Sequence, residues 1–116
     1  MPRKPKAAKT TETGMPTHIV LGSKKIKLRI GTEDLESDRY AHYDAVRGEI
    51  VIHPSTKGAE RGDSVLHEFV HASLHVRGVD LSNRAEERVA TVLGGDLHEL
   101  LTRNPELVAW IMKGCP

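Results

Sequence analysis

Aromatic residues are scarce in this 116-residue chain, which has one Trp, two Tyr and one Phe, 3% of the sequence. A core built here cannot rest on stacked rings, so packing falls to Val, Leu, Ile and Ala. Cysteine is scarcer still. Cys115 stands alone, which excludes an internal disulfide framework and suits a reducing, cytoplasmic setting. No apolar run approaches the ~20 residues of a membrane span, and no signal-peptide pattern is present, so no membrane partner is expected. A dominant charge is also missing, since the net charge is +1. Arg3, Lys4, Lys6 and Lys9 against Glu12 give residues 1–16 a net +3 and leave −2 for the rest. A body specific for nucleic acid is therefore not expected.

The length fits one domain with a single modest core. Residues 1–16 carry three prolines and no apolar periodicity, and read as a disordered basic arm. Residues 17–116 read as the domain. His18 to Leu21 is a short apolar run turning at Gly22-Ser23. Lys24 to Ile30 then alternates, with Ile26, Leu28 and Ile30 on one face and Lys25, Lys27 and Arg29 on the other, the pattern of a half-buried strand. A polar connection from Gly31 to about Asp38 follows. Tyr40–Asp44 and Gly48–His53 read as two strands of a hairpin. The first half is thus expected to be a small antiparallel sheet.

The second half changes to helical periodicity. Asp63 or Ser64 can cap a helix running to Val76, with Gly78 just past its end. Its apolar residues Val65, Leu66, Phe69, Val70, Ala72 and Leu74 predict a central, largely buried element. A second helix is expected from Arg84 toward Thr102, weakened or bent at Gly94-Gly95. Pro105 suits the first position of a short third helix, Glu106 to Met112, expected to close the core. The predicted fold is α+β, a small sheet followed by two main helices and a short third.

The central helix carries His67-Glu68-Phe69-Val70-His71, an H-E-x-x-H pattern. On a helix, residues at i and i+4 share a face. Two imidazoles at that spacing can reach one zinc ion at about 2 Å, with Glu68 placed to take a proton from a zinc-activated water. A bland alternative exists, a surface helix with two solvated histidines. The apolar residues around the motif count against it, because buried imidazoles and carboxylates need partners.

A hydrolytic zinc site requires a third protein donor. Asp80, Glu86, Glu87, Asp96, His98 and Glu99 lie downstream. At about 100° per residue, Val89, Ala90, Leu93, Leu97, Leu100 and Leu101 fall within about 60° of Glu86, while Glu87 stands roughly 100° away. A carboxylate at the centre of an apolar stripe is costly unless paired or metal-bound. Glu86 is therefore the expected ligand and Glu87 the fallback. Asn83 capping the helix with Glu86 three residues on is a purely structural alternative. His75 reads as a supporting residue, and His98 as a surface one. Tyr40, His42 and Tyr43 are candidates to donate a hydrogen bond to a developing oxyanion. Strand Glu49–His53 is a candidate edge for an extended peptide.

H-E-x-x-H followed by a glutamate on the next helix resembles the gluzincin arrangement. The longer string His67 to His75, HEFVHASLH, resembles the ImmA/IrrE metallopeptidases, and small phage-encoded relatives look closer still. Their recurring elements correspond here to Tyr43-Asp44, Glu49–His53, His67–His71, Glu86–Val89 and Asn104–Leu107, a likeness covering roughly residues 40–110. Val70 departs from the glycine usual before the second histidine. An E-x-x-A-N element would match Glu87 to Thr91, with threonine for asparagine, and that register favours Glu87. The resemblance implies a minimal zincin with Zn²⁺ on His67, His71 and Glu86 and Glu68 as general base. It implies peptide-bond hydrolysis in a protein substrate, with a transcriptional repressor as the expected class. The competing expectation is a non-enzymatic interaction module that keeps the fold.

Overall fold

A computed structural model describes residues 14–32 and 40–115. The expected disordered arm falls outside these residues except for Gly14 to Pro16, and most of the polar connection, 33–39, lies outside them as well. Met15, before the expected boundary at position 17, packs against the core.

The order of elements is β1 (His18–Leu21), β2 (Lys24–Ile30), β3 (Ala41–Asp44), β4 (Glu49–Ile52), α1 (Gly58–Val76), α2 (Asn83–Arg103) and α3 (Pro105–Met112). The fold is α+β. Its sheet is mixed rather than wholly antiparallel, with strand order β1-β2-β4-β3. The β3–β4 hairpin docks through its second strand, so β4 runs parallel to β2 with Lys27 opposite Glu49 and Ile30 opposite Ile52. That insertion makes β4 an interior strand, buried at all four positions. The expected substrate edge is therefore not β4. β3 is the edge strand on that side.

Ile26, Leu28, Ala41, Ile50 and Ile52 share the sheet face that meets Ala72 of α1, and they form the core with Leu21. Aliphatic residues and alanine do the packing, as composition implied. On the opposite face Glu49 is buried, and Arg29 donates to both of its carboxylate oxygens at 3.1 and 3.2 Å.

α1 starts at Gly58, about a turn and a half before the expected Asp63 or Ser64 cap, and no side chain caps it. Gly58 and Gly62 make this stretch a weak helix former. Tertiary anchors hold it instead. Arg61 Nε donates to the buried Thr56 hydroxyl at 3.0 Å, and Asp63 pairs with His98 Nδ1 on α2 at 2.7 Å. α1 is central, packed between the sheet and α2, but only Glu68, Val70 and Ala72 are buried along it. Gly78 (φ +70°) ends it as expected: Gly78 and Val79 N–H donate to the carbonyls of His75 and Leu74, a Schellman closure.

α2 is a single helix through both glycines, with the Ser82 hydroxyl accepting from Ala85 N–H at its start. Its observed range matches the expected one to a residue at each end. α3 corrects a different expectation. It does not close the core, for none of its residues is buried.

Candidate metal centre

α1 places His67 and His71 one turn apart, with ring centroids separated by 5.1 Å. α2 runs back along α1, which sets Gly62 beside His98, Gly94 beside His67, and the first turn of α2 beside His71. Gly94 is what allows this approach: a Cβ there would lie 2.9 Å from His67 Cα and 3.0 Å from its backbone nitrogen. Only a residue without a side chain fits.

The carboxylates of α2 divide the imidazoles between them. Glu87 Oε1 lies 2.9 Å from His67 Nε2, and its Oε2 lies 3.0 Å from His71 Nε2. Glu86 Oε2 lies 2.6 Å from the other nitrogen of His71, Nδ1. His67, His71 and Glu87 form a group whose donor atoms all fall within 4.8 Å of one another and could hold a metal ion. Three donors on one ion at about 2 Å stand roughly 3.3 Å apart, so the cluster needs little movement to close. Two imidazoles and one carboxylate are also the donor set of a hydrolytic zinc site, and Glu86 stands behind His71 as a second carboxylate.

The geometry thus brings Glu87, the fallback, to the side where both Nε2 atoms converge, and sets Glu86 behind His71. Glu86 lies nearer the contact between the helices and is the less exposed of the two, at 32% against 59%. His67 and His71 both line a cleft beside that contact. A donor for them has to come from the rim of the stripe, not its centre.

Glu68 is buried at 8% exposure, and its Oε2 accepts the backbone N–H of Tyr43 at 2.9 Å. The register explains why that N–H is available. Tyr40 C=O accepts from His53 N–H across the β3–β4 ladder, so with antiparallel alternation the backbone groups of Ala41 and Tyr43 point away from β4. The Tyr43 hydroxyl in turn lies 2.9 Å from His75 Nδ1. Burial first, and then the Asp44 carboxylate, raise the Tyr43 phenol above its ordinary pKa. His75 is thus a partner of Tyr43 and stands outside the three-donor group. His98, expected at the surface, is instead partly buried, its side chain 20% exposed and its Nδ1 2.7 Å from an Asp63 carboxylate oxygen.

A cleft of about 890 Å³ lies between the open edge of β3 and the two long helices. Ala41, Tyr43, Glu68, His71 and Glu87 all line it, as do Tyr40 and His42. The sequence marks Gly94 only, with Gly95, as a weak point of α2, about two and a half turns before its end; the close contact with His67 leaves no signal of its own. Sequence reasoning also missed the Tyr43–Glu68 bond, which depends on strand register and leaves no mark in local sequence. No family model, curated protein or solved structure matches the chain. Among the described residues, no helix is long and apolar enough to cross a membrane.

Proposed function

We propose that the chain is a small zinc-dependent metallopeptidase that hydrolyses a peptide bond in a protein substrate, in the manner of the ImmA/IrrE-type zincins it resembles. The observation carrying this reading is the convergence of His67 Nε2, His71 Nε2 and Glu87 in the cleft that Glu68 also lines. His67, His71 and Glu87 would hold the ion. Zinc bound there would polarise a carbonyl oxygen and bring the pKa of a water toward about 7.

The chain's own residues supply the rest. Glu86, 2.6 Å from His71 Nδ1, would accept a proton donated there and so hold the tautomer whose Nε2 lone pair faces the site. Glu68 is anchored through one carboxylate oxygen by Tyr43 N–H. Its other oxygen takes a proton from the attacking water and returns it to the departing amine nitrogen. The open edge of β3 offers Ala41 N–H and C=O and Tyr43 C=O to an extended peptide, a strand-addition mode of binding. A transcriptional regulator as substrate, and a cytoplasmic setting, follow from the family resemblance and the lone cysteine.

A second reading, a non-enzymatic interaction module, draws on the Glu68–Tyr43 bond, which gives Glu68 a structural role without catalysis. One experiment separates the two. Untagged protein is reconstituted with zinc, its metal content measured, and cleavage of an unstructured protein followed by mass spectrometry for wild type and Glu68→Gln. The peptidase reading expects about one zinc in each and cleavage in wild type alone. Zinc in both with equal or no cleavage favours the module. No zinc in either removes the metal centre.

A further inference from the structure

α3 is physically anomalous. Its eight residues, PELVAWIM, are mostly apolar, yet Leu107, Trp110, Ile111 and Met112 are 40, 47, 51 and 80% exposed. Val108 is its one residue that is not exposed. Leu100 and Leu101, in the last turns of α2, add 37 and 49%. A helix this short gains little from its own backbone bonds, and a contiguous apolar face on it marks an interaction surface.

The charges beside the face indicate what covers it. With Leu107 set at zero and about 100° per residue, Ile111 lies about 40° to one side and Trp110 about 60° to the other. Val108, turned toward the body of the protein, lies about 100° out on the Ile111 side. Glu106 and Lys113 lie about 100° and 120° out on the Trp110 side. Two opposite charges therefore share one flank of the seam, two turns apart. In an antiparallel helix pair related by a two-fold axis, each flank meets the same flank of its mate, and flanking charges choose the partner. Glu106 of one chain then meets Lys113 of the other, twice by symmetry, and the same alignment sets Leu107 against Ile111 of the second copy.

We propose that the α3 face is a self-association surface, occupied by α3 of a second copy of this chain in antiparallel orientation. This surface is separate from the proposed metal centre and does not depend on it.

Sedimentation equilibrium on the full chain, from about 10 μM to 1 mM, reads the association directly. The mass should rise with concentration from that of one chain, 12.8 kDa, toward twice that value. Ile111→Asp should hold the mass at one chain throughout with an unchanged far-ultraviolet circular dichroism spectrum, since Ile111 is half exposed. Glu106→Lys and Lys113→Glu should each weaken association about fivefold or more, and the double reversal should restore it. A single-chain mass at every concentration would overturn the proposal, leaving the face for an unlike partner. So would association that survives Ile111→Asp, or that the double reversal fails to restore.

Discussion

Gly94 of α2 sits directly on the backbone of His67 in α1, closer than any side chain would allow. Ordinary carbon–carbon contacts settle near 3.5–4.0 Å, so the 2.9 Å at which a Cβ would meet His67 Cα forces the helices apart. The neighbouring Gly95 has open space around its would-be Cβ. Adjacent glycines in one helix thus have opposite roles. Gly94→Ala should destabilise the fold by about 1–3 kcal/mol through overpacking. It should also weaken zinc binding, because Glu86 and Glu87 ride on the displaced helix. Gly95→Ala should gain about 0.5–1 kcal/mol from helix propensity and leave zinc binding unchanged. Urea unfolding and zinc competition titrations on the two variants provide the comparison. Equal behaviour would refute the close-contact account.

The division of labour between Glu86 and Glu87 yields a second prediction. With Glu87 spanning both Nε2 atoms, Glu87→Ala removes a donor from the proposed centre. Affinity should fall on the order of 10³-fold, roughly one donor's share of a zinc site's binding free energy. Glu86→Ala removes only the acceptor behind His71 and should cost about 10–100-fold. Zinc competition with a chromophoric chelator ranks them. A larger loss for Glu86 would reverse the assignment and restore the donor expected from the helical stripe.

Periodicity located β2, α1 and α2, because the alternation in Lys24–Ile30 and the apolar spacing in the two long helices are local properties, while β1 showed in the sequence only as a short apolar run. What periodicity does not encode is how elements meet. The parallel β2–β4 pairing reflects which strand of a hairpin docks, a choice that the alternation within each strand does not record. The early start of α1 depends on Arg61 reaching Thr56 and Asp63 reaching His98, contacts that outweigh two glycines. The H-E-x-x-H pair was legible because both histidines and the glutamate lie within five residues. Which carboxylate faces both Nε2 atoms is a property of two helices together. α3 was misjudged for a related reason. Apolar residues at helical spacing show that a face wants covering, not that this chain covers it.

Glu68 makes a test of the Tyr43 anchor possible without touching the proposed metal donors. Glutamine keeps a carbonyl oxygen to accept Tyr43 N–H, so Glu68→Gln should fold with stability within about 0.5 kcal/mol of wild type. Alanine leaves that N–H without its acceptor and opens space in a buried position, so Glu68→Ala should lose about 1–3 kcal/mol. Amide hydrogen exchange supplies the local readout, with Tyr43 protected in wild type and Glu68→Gln and fast in Glu68→Ala. Unchanged protection in the alanine variant would show that the bond does not hold the β3 edge against α1.

The sheet face away from the helices carries its own pH dependence. Hydrogen bonds from Arg29 are the main reason the Glu49 carboxyl is held below its ordinary pKa. The charges of Arg29, Arg47 and Lys27 add to the effect, against the opposing influence of burial. In the unfolded chain the carboxyl returns to its ordinary value, so on acidification the unfolded state takes up this proton first. The stability from Glu49 is therefore complete above the ordinary carboxylate range and is lost as pH falls from that value through the lower folded one. Glu49→Gln removes this titration and the charge partner of Arg29, costing about 1–3 kcal/mol at neutral pH. Urea unfolding between about pH 7 and 3 should then show the two stability curves converging toward the acid end. A gap constant across that range would mean that Glu49 contributes through packing alone, with no preferential stabilisation of its ionised form by Arg29.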